Sequence, residues 1–257
     1  MREILDVLFL AVLQGVAEFL PVSSSGHLVI AQSLLKINSA GMWLEVVLHL
    51  GTMVSIVLYY RKTLLALIRG LLRGDHASWG TAGHVALSAI PAVLFFLLCK
   101  DKVEAFFENP HAIGGFLIFT GVVLCALRWM RCGEGGVTAQ RALLIGLAQA
   151  AAILPGISRS GMTISAARMT GMAPDQAAEF SFLMCLPLLA GAALIGVVDA
   201  SAQACALPWW LLLTGAAVSA AVGFLSLSLL VRTLRGNRFW LFGPYCLTVG
   251  VLTVLFI

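Results

Sequence analysis

Apolar residues fill this chain in long blocks. Nearly unbroken apolar runs cover Met42 to Tyr60, Ala82 to Cys99, Ile113 to Met130, Ala177 to Val198, Trp209 to Val231 and Phe239 to Ile257. Each comes near the roughly 20 residues a helix needs to cross the hydrocarbon core of a bilayer, so the pattern predicts six spanning helices. Two further regions are apolar but interrupted. In each, short apolar arms flank a polar, glycine-containing loop: Pro21-Val-Ser-Ser-Ser-Gly-His27 and Pro155-Gly-Ile-Ser-Arg-Ser-Gly161. Both loops carry Ser-x-Ser-Gly shortly after a proline. The interval from Ser23 to Ser158 equals those from Gln14 to Gln149 and from Gly26 to Gly161, a shared register that predicts a duplicated unit.

Composition sharpens this picture. With 60% hydrophobic and 11% charged residues, the 257-residue chain has more apolar surface than a soluble globule of its size could bury. It therefore reads as an integral membrane protein. The net charge of +4 does not point to nucleic acid, because the 16 Lys and Arg residues lie mostly in short clusters between apolar runs. The six cysteines are scattered without a Cys-x-x-Cys pair and are read as small, unbridged core residues. A cleaved signal peptide is rejected at the N-terminus. Its charges are mixed (Arg2, Glu3, Asp6), and cleavage after Ala17 would discard Gln14 and disturb the polar motif.

The basic clusters set an orientation. Arg61, Lys62, Arg69 and Arg73 form one, Arg128, Arg131 and Arg141 a second, and Arg232, Arg235 and Arg238 a third. By the positive-inside rule these connections are cytoplasmic, whereas the slightly acidic Lys100 to Glu108 and the Lys- and Arg-free Asp199 to Pro208 face outside. Arg141 and the start of the Ala177 helix then lie on the same side, so the region between them crosses an even number of times. Its apolar arms, Ala142 to Leu154 and Met162 to Met172, are each short for a span. A re-entrant hairpin over residues 141–172, entering from the cytoplasm, is the economical solution. The same reasoning makes residues 1–37 a re-entrant hairpin from the outer face, with Lys36 an exception to the charge rule. The expected fold is thus an all-α integral membrane protein, one domain over 1–257. It has six transmembrane helices plus two re-entrant helix-loop-helix hairpins in an inverted-topology repeat, 1–128 and 131–257, whose interrupted helices meet near the bilayer middle.

Ionisable groups inside hydrocarbon are costly and mark function, and the hairpins carry three: Glu18, His27 and Arg159. Gln14 and Glu18, four residues apart, share one helix face. Pro21 stops the first arm, and Ser23, Ser24, Ser25 and Gly26 follow where the second arm begins, a helix N-terminus suited to phosphate. The second loop repeats the arrangement, with Ser158, Ser160, Gly161 and Thr163 beside Arg159, a permanent cation fitted to bidentate phosphate contact. Glu18 enters an anion site only if a divalent cation bridges it to phosphate, and Mg²⁺ commonly uses one or two carboxylates plus substrate oxygens. His27 can move a proton as a phosphoanhydride breaks, with Ser24 expected within its reach. These parts suit phosphoryl transfer from a diphosphate with a lipid tail among the helices. Serines and glycines also serve helix packing in membranes, so the joint occurrence carries the argument. Glu45 and His49 are expected to play a supporting or structural role, and His76, His84 and His111 none.

Glu-Phe-Leu-Pro-Val-Ser-Ser-Ser-Gly-His (Glu18 to His27) and Pro-Gly-Ile-Ser-Arg-Ser-Gly-Met-Thr (Pro155 to Thr163) resemble the two motifs of the bacterial undecaprenyl-pyrophosphate phosphatase family, associated with bacitracin resistance. The resemblance extends to length, to the order of apolar segments and to the Glu-Val-Val-x-x-Leu-Gly run from Glu45. It implies a plasma-membrane enzyme that removes the terminal phosphate of a C55 isoprenoid diphosphate and so recycles the carrier of peptidoglycan synthesis. It also implies a homodimer, and a metal and diphosphate site at Gln14 and Glu18. Where the family has a second Glu, Gln14 leaves a neutral ligand or hydrogen-bond donor. The central serine corresponds to Ser24, the histidine to His27 and the arginine to Arg159. The expected scheme has Glu18, assisted by Gln14, holding Mg²⁺ or Ca²⁺, with Ser23, Ser25, Gly26, Ser158, Ser160, Gly161 and Thr163 on the diphosphate. Attack comes from Ser24, from His27 or from water. The active site is expected to open to the periplasmic or extracellular side. A lipid-phosphate flippase is the competing reading, since broken helices in inverted repeats are a transporter architecture.

Overall fold

A computed structural model of the protein describes residues 2–35, 41–130, 133–201 and 207–257. Two helices open the chain, α1 (Arg2–Ala17) and α2 (Ser24–Leu35), followed by α3 (Gly41–Tyr59), α4 (Arg61–Leu72), α5 (His76–Phe107) and α6 (Pro110–Ala126). The second half holds α7 (Ala139–Ala151), α8 (Arg159–Met169), α9 (Pro174–Ser201), α10 (Trp209–Arg235) and α11 (Phe242–Phe256). No β-strand occurs among the described residues, in agreement with the all-α reading.

Local chemistry sets the helix starts. Asp75 caps α5 by accepting the Ser78 N–H at 3.0 Å and the Ser78 hydroxyl at 2.7 Å, bonds that hold its carboxyl below the ordinary carboxylate range. This cap therefore stays ionised at neutral pH, and its contribution is lost only as pH falls through the lowered value. Asn109 caps α6 ahead of Pro110, whose missing N–H costs nothing in a first turn. Thr138 does the same for α7.

Five helical stretches are long and apolar enough to cross a membrane: His76–Phe107, Pro110–Trp129, Pro174–Val198, Trp209–Arg235 and Phe239–Phe256. A sixth is reached when α3 and α4, bent by 76° at Tyr60, are taken as one broken span. Two expectations are corrected here. The basic stretch Arg61 to Arg73 is a helix, not a loop, with Leu65, Ile68 and Leu72 exposed on one side, as suits a segment lying along a bilayer surface. Lys100 to Phe107 continues α5 and leaves only a short turn before Pro110. Lys36 to Ala40, and most of the segment after Ser201, lie outside the described residues.

Apolar side chains cover the outside of the bundle, with Leu98 82% and Leu225 68% exposed, while Thr52, Ser55, Ser88, Thr120 and Ser181 are fully buried. That inversion is expected where lipid is the solvent. Within the bundle the arms cross between halves. Helix α1 packs on α10, α7 packs on α5, and α3 and α10 are joined by Ser55 Oγ donating to Ala220 O (2.7 Å) and Ser219 Oγ to Leu48 O (3.0 Å).

Helices α6 and α11 pack extensively, with backbones meeting at Gly114, Gly121, Gly243 and Gly250. A Cβ on Gly250 would stand 2.7 Å from the Gly114 carbonyl oxygen, whereas one on Gly115 would meet open space. Gly250→Ala should therefore lower the unfolding midpoint in detergent by an amount equivalent to about 1–3 kcal/mol. Gly115→Ala should leave it in place; equal midpoints for the two variants would refute this view of the interface.

Candidate active site

Both interrupted helices end in the same device. Ser23 precedes α2 and its Oγ accepts the N–H of Gly26 at 3.3 Å; Ser158 precedes α8 and its Oγ accepts the N–H of Gly161 at 3.1 Å. Each is a serine N-cap bonded to the third residue of its helix, so the Ser-x-Ser-Gly pattern encodes the start of the second arm. The loops then touch. Gly156 N–H donates to Ser23 Oγ at 3.1 Å, and a Cβ on Gly26 would lie 3.1 Å from the Gly156 Cα. Ser160 Oγ donates to Leu20 O across the same junction (3.3 Å). Ser23 sits at φ +70°, a conformation costing about 1–3 kcal/mol for a residue other than glycine. The amide bonds from two separate hairpins to its hydroxyl hold it there.

At this junction lies Glu18, buried and held by polar partners from three helices. Arg159 reaches it from the second hairpin, its Nη2 paired with Glu18 Oε1. Ser24 Oγ donates to Oε2 at 2.7 Å and Gln14 Nε2 donates to the same oxygen at 3.1 Å. His49 of α3 brings its Nε2 to 3.8 Å from Oε2, with its Nδ1 at 2.8 Å from Glu45 O. Two buried atoms on either side of the carboxylate remain without hydrogen-bond partners among the described residues: Gln14 Oε1 and Arg159 Nη1. One is an acceptor, the other a cationic donor. The first has the chemistry to meet a cation, the second to meet a phosphate oxygen.

The sequence-predicted residues thus divide. Gln14, Glu18, Ser24 and Arg159 converge on one point, and Ser23 and Gly26 form the contact between loops. The expected donors on the diphosphate are mostly engaged within the protein. Ser158 and Ser160 share a hydroxyl contact at 3.3 Å, Ser23 and Ser25 one at 3.4 Å, Gly161 N–H is taken by the cap, and Thr163 Oγ1 donates to Arg159 O at 2.8 Å. His27 also differs from expectation. Its ring nitrogens bond to Ser23 O and to the Tyr245 hydroxyl, both at 2.9 Å, while the Ser24 hydroxyl turns to Glu18. His49, expected only to support, stands beside the carboxylate.

Several participants were not singled out in the sequence. Thr120 of α6 accepts the Ser158 N–H at 3.2 Å and donates to Gly156 O at 3.1 Å, bracing the second loop. Cys246 Sγ donates to Pro21 O at 3.3 Å, bracing the first. The buried Cys185 thiol lies against the Arg159 guanidinium. A lone hydroxyl or thiol in an apolar run carries no spacing signal, which is why these were missed. In the second half, Gln149 is buried and its amide has no partner among the described residues, and Ile153 occupies the register position of Glu18. The second hairpin therefore lacks an acid.

No group of three or more His, Cys, Asp and Glu side chains fit to hold a metal occurs among the described residues. One carboxylate and an unpartnered amide oxygen do fit a hard cation that completes its shell with substrate oxygens and water, the usual habit of Mg²⁺.

Residues 7–252 match the family model described as "Bacitracin resistance protein BacA". Among curated relatives, a protein of Pelotomaculum thermopropionicum is 37% identical over 263 residues, covering 98% of this chain and 96% of its own length. One from Rhodopirellula baltica is 38% identical over 264 residues (99% and 98%), and one from Methanosphaera stadtmanae 34% over 281 residues (99% and 98%). All three are named undecaprenyl-diphosphatase.

Proposed function

This chain belongs to the bacitracin resistance protein BacA family, and from that membership and the Glu18 cluster we propose how it acts as a membrane undecaprenyl-diphosphatase. The substrate is undecaprenyl diphosphate; the products are undecaprenyl phosphate and inorganic phosphate. That reaction returns the lipid carrier to cell-wall synthesis, and the family's link to bacitracin resistance fits it.

One observation carries the mechanism: a serine hydroxyl of the first hairpin and a guanidinium of the second meet on one buried carboxylate, with Glu18 and Arg159 141 residues apart in the chain. The free Arg159 Nη1 takes an oxygen of the diphosphate and offsets its charge. Glu18 orients the Ser24 hydroxyl through the 2.7 Å hydrogen bond, leaving Ser24 Oγ to attack the terminal phosphorus. As the Oγ–P bond forms, the serine proton passes to Glu18 and the bridging P–O bond breaks, its electrons leaving with undecaprenyl phosphate. Water then cleaves the phosphoserine, releasing phosphate and returning the proton to Ser24. In that second step His27, through Nε2, takes the proton that the attacking water loses and passes it to solvent. Glu18 and Gln14 would hold a divalent cation, Mg²⁺ or Ca²⁺, which when bound neutralises charge on the diphosphate.

The test is phosphate release by purified protein in detergent from a long-chain isoprenoid diphosphate. Release should stop with chelator and resume with added Mg²⁺ or Ca²⁺. A rapidly quenched reaction should carry phosphate on Ser24. Phosphate on His27, or on no residue, would replace the Ser24 step, and absence of any release would eliminate the enzyme.

The protein is a multi-pass membrane protein. We place it in the bacterial plasma membrane with the first hairpin entering from outside, on the strength of the basic residues at Arg61 to Arg73. In a cysteine-free background, a membrane-impermeant thiol reagent applied to intact cells should label Glu108→Cys and spare Arg73→Cys; the reverse pattern would invert the orientation. A homodimer is proposed from the family resemblance, to be checked by the mass of the detergent-solubilised particle. The two halves are proposed as an inverted repeat, supported by the matching serine caps and by the exchange of α1 onto α10 and α7 onto α5.

A further inference from the structure

Both nitrogens of His27 are committed. The Ser23 carbonyl can only accept, so Nδ1, 2.9 Å away, carries the proton of that bond. In the neutral ring Nε2 then holds the lone pair, and the Tyr245 hydroxyl at 2.9 Å donates to it. The two rings also lie nearly parallel, at 10°, with centroids 5.7 Å apart. Tyr245 comes from α11, 218 residues along the chain, and its neighbour Cys246 is buried with its thiol on Pro21 O. The same turn of α11 therefore grips the loop from which α2 starts and the imidazole that α2 carries.

Building on the phosphatase reading, we infer that Tyr245 is the positioning residue for His27. Since Nδ1 is committed to a backbone carbonyl, any proton His27 takes or gives moves through Nε2, which faces the Tyr245 oxygen. When Nε2 gains a proton, the phenol oxygen turns from donor to acceptor and keeps the ring in place, with no change in the phenol itself. The hydroxyl fixes the direction of the lone pair, and the adjacent, nearly parallel phenol ring limits the space open to the imidazole. Neither role belongs to the Glu18 cluster, whose hydrogen bonds and ion pairs among the described residues are with Gln14, Ser24, Arg159 and His49.

Two variants separate hydroxyl from ring. Tyr245→Phe keeps the neighbouring ring and removes the hydrogen bond; Tyr245→Leu removes both. For Tyr245→Phe, kcat should fall by at least about tenfold, part of what proton transfer by a positioned group supplies, while KM stays within about twofold. The ¹⁵N signal of His27 Nε2, assigned by its loss in His27→Gln, should move toward that of an imidazole nitrogen without a hydrogen bond. The unfolding midpoint of Tyr245→Phe should match the parent protein. A kcat loss confined to Tyr245→Leu would reduce Tyr245 to packing and overturn the inference, as would an unmoved Nε2 signal in Tyr245→Phe. These outcomes are distinct from failure of the phosphatase reading, which would show as no phosphate release by the unaltered protein. The ¹⁵N measurement needs no turnover at all.

Discussion

Arg159→Ala should slow phosphate release by about three orders of magnitude and destabilise the protein by about 3–5 kcal/mol. Two separate losses are involved. The first is the donor: Arg159 Nη1 is buried with no partner among the described residues, the position from which it would hold a diphosphate oxygen. The second is the ion pair, since Glu18 is 8% exposed and would lose its cationic partner. Removing the charge as well should separate them. In Glu18→Gln/Arg159→Ala the unfolding midpoint should recover much of the loss, while phosphate release should be no faster than in Arg159→Ala. Single-turnover release and denaturant unfolding in one detergent measure both quantities. Release by Arg159→Ala within tenfold of the parent protein would take Arg159 out of the mechanism.

Gly156→Val should be as damaging without touching any reacting group. Gly156 holds φ +97°, open to glycine and strained for a β-branched residue, and a Cβ there would stand 2.5 Å from the Ile113 carbonyl oxygen. Its N–H is bound by Ser23 Oγ and its carbonyl by Thr120 Oγ1, so the loop cannot shift without breaking a bond on each side. A stability loss of about 3–4 kcal/mol is expected from the combined strain and overpacking. Phosphate release should fall with it, because Arg159 follows three residues later and would be carried away from Glu18. Gly191→Val, where a Cβ meets open space, provides the comparison. A Gly156→Val protein as stable as Gly191→Val would show that the loop contact contributes nothing.

Much of this site is written in local spacing. Gln14 and Glu18 at i and i+4 predict one shared face, and the amide does donate to the carboxylate at 3.1 Å. Residues such as Arg159 are legible because a guanidinium in an apolar region demands a partner. The identity of that partner is partly legible too, once charge bias sends the two hairpins in from opposite faces. Other features are set by tertiary contact alone. His49 reaches Glu18 because α3 passes the end of α1, and nothing in Glu-Val-Val-Leu-His signals it. The serine hydroxyls look like ligands for phosphate in sequence, yet in the fold the nearest claims on them are amides left free at helix starts. The helix at Arg61–Leu72 was hidden differently: its clustered basic charge suggests a connection, while Leu65, Ile68 and Leu72 at helical spacing beside Arg61, Lys62 and Arg69 also fit a surface helix.

The span of 141 residues between Glu18 and Arg159 has a further meaning for biosynthesis. A ribosome adding about 5–20 residues per second needs on the order of ten seconds to reach the arginine after the glutamate has been made. Throughout that interval the first hairpin has no guanidinium to offset its acid and no Gly156 amide for Ser23. The nascent segment must wait at the membrane with its acid hydrated or protonated, and the contact that completes the site forms only once the second hairpin is made.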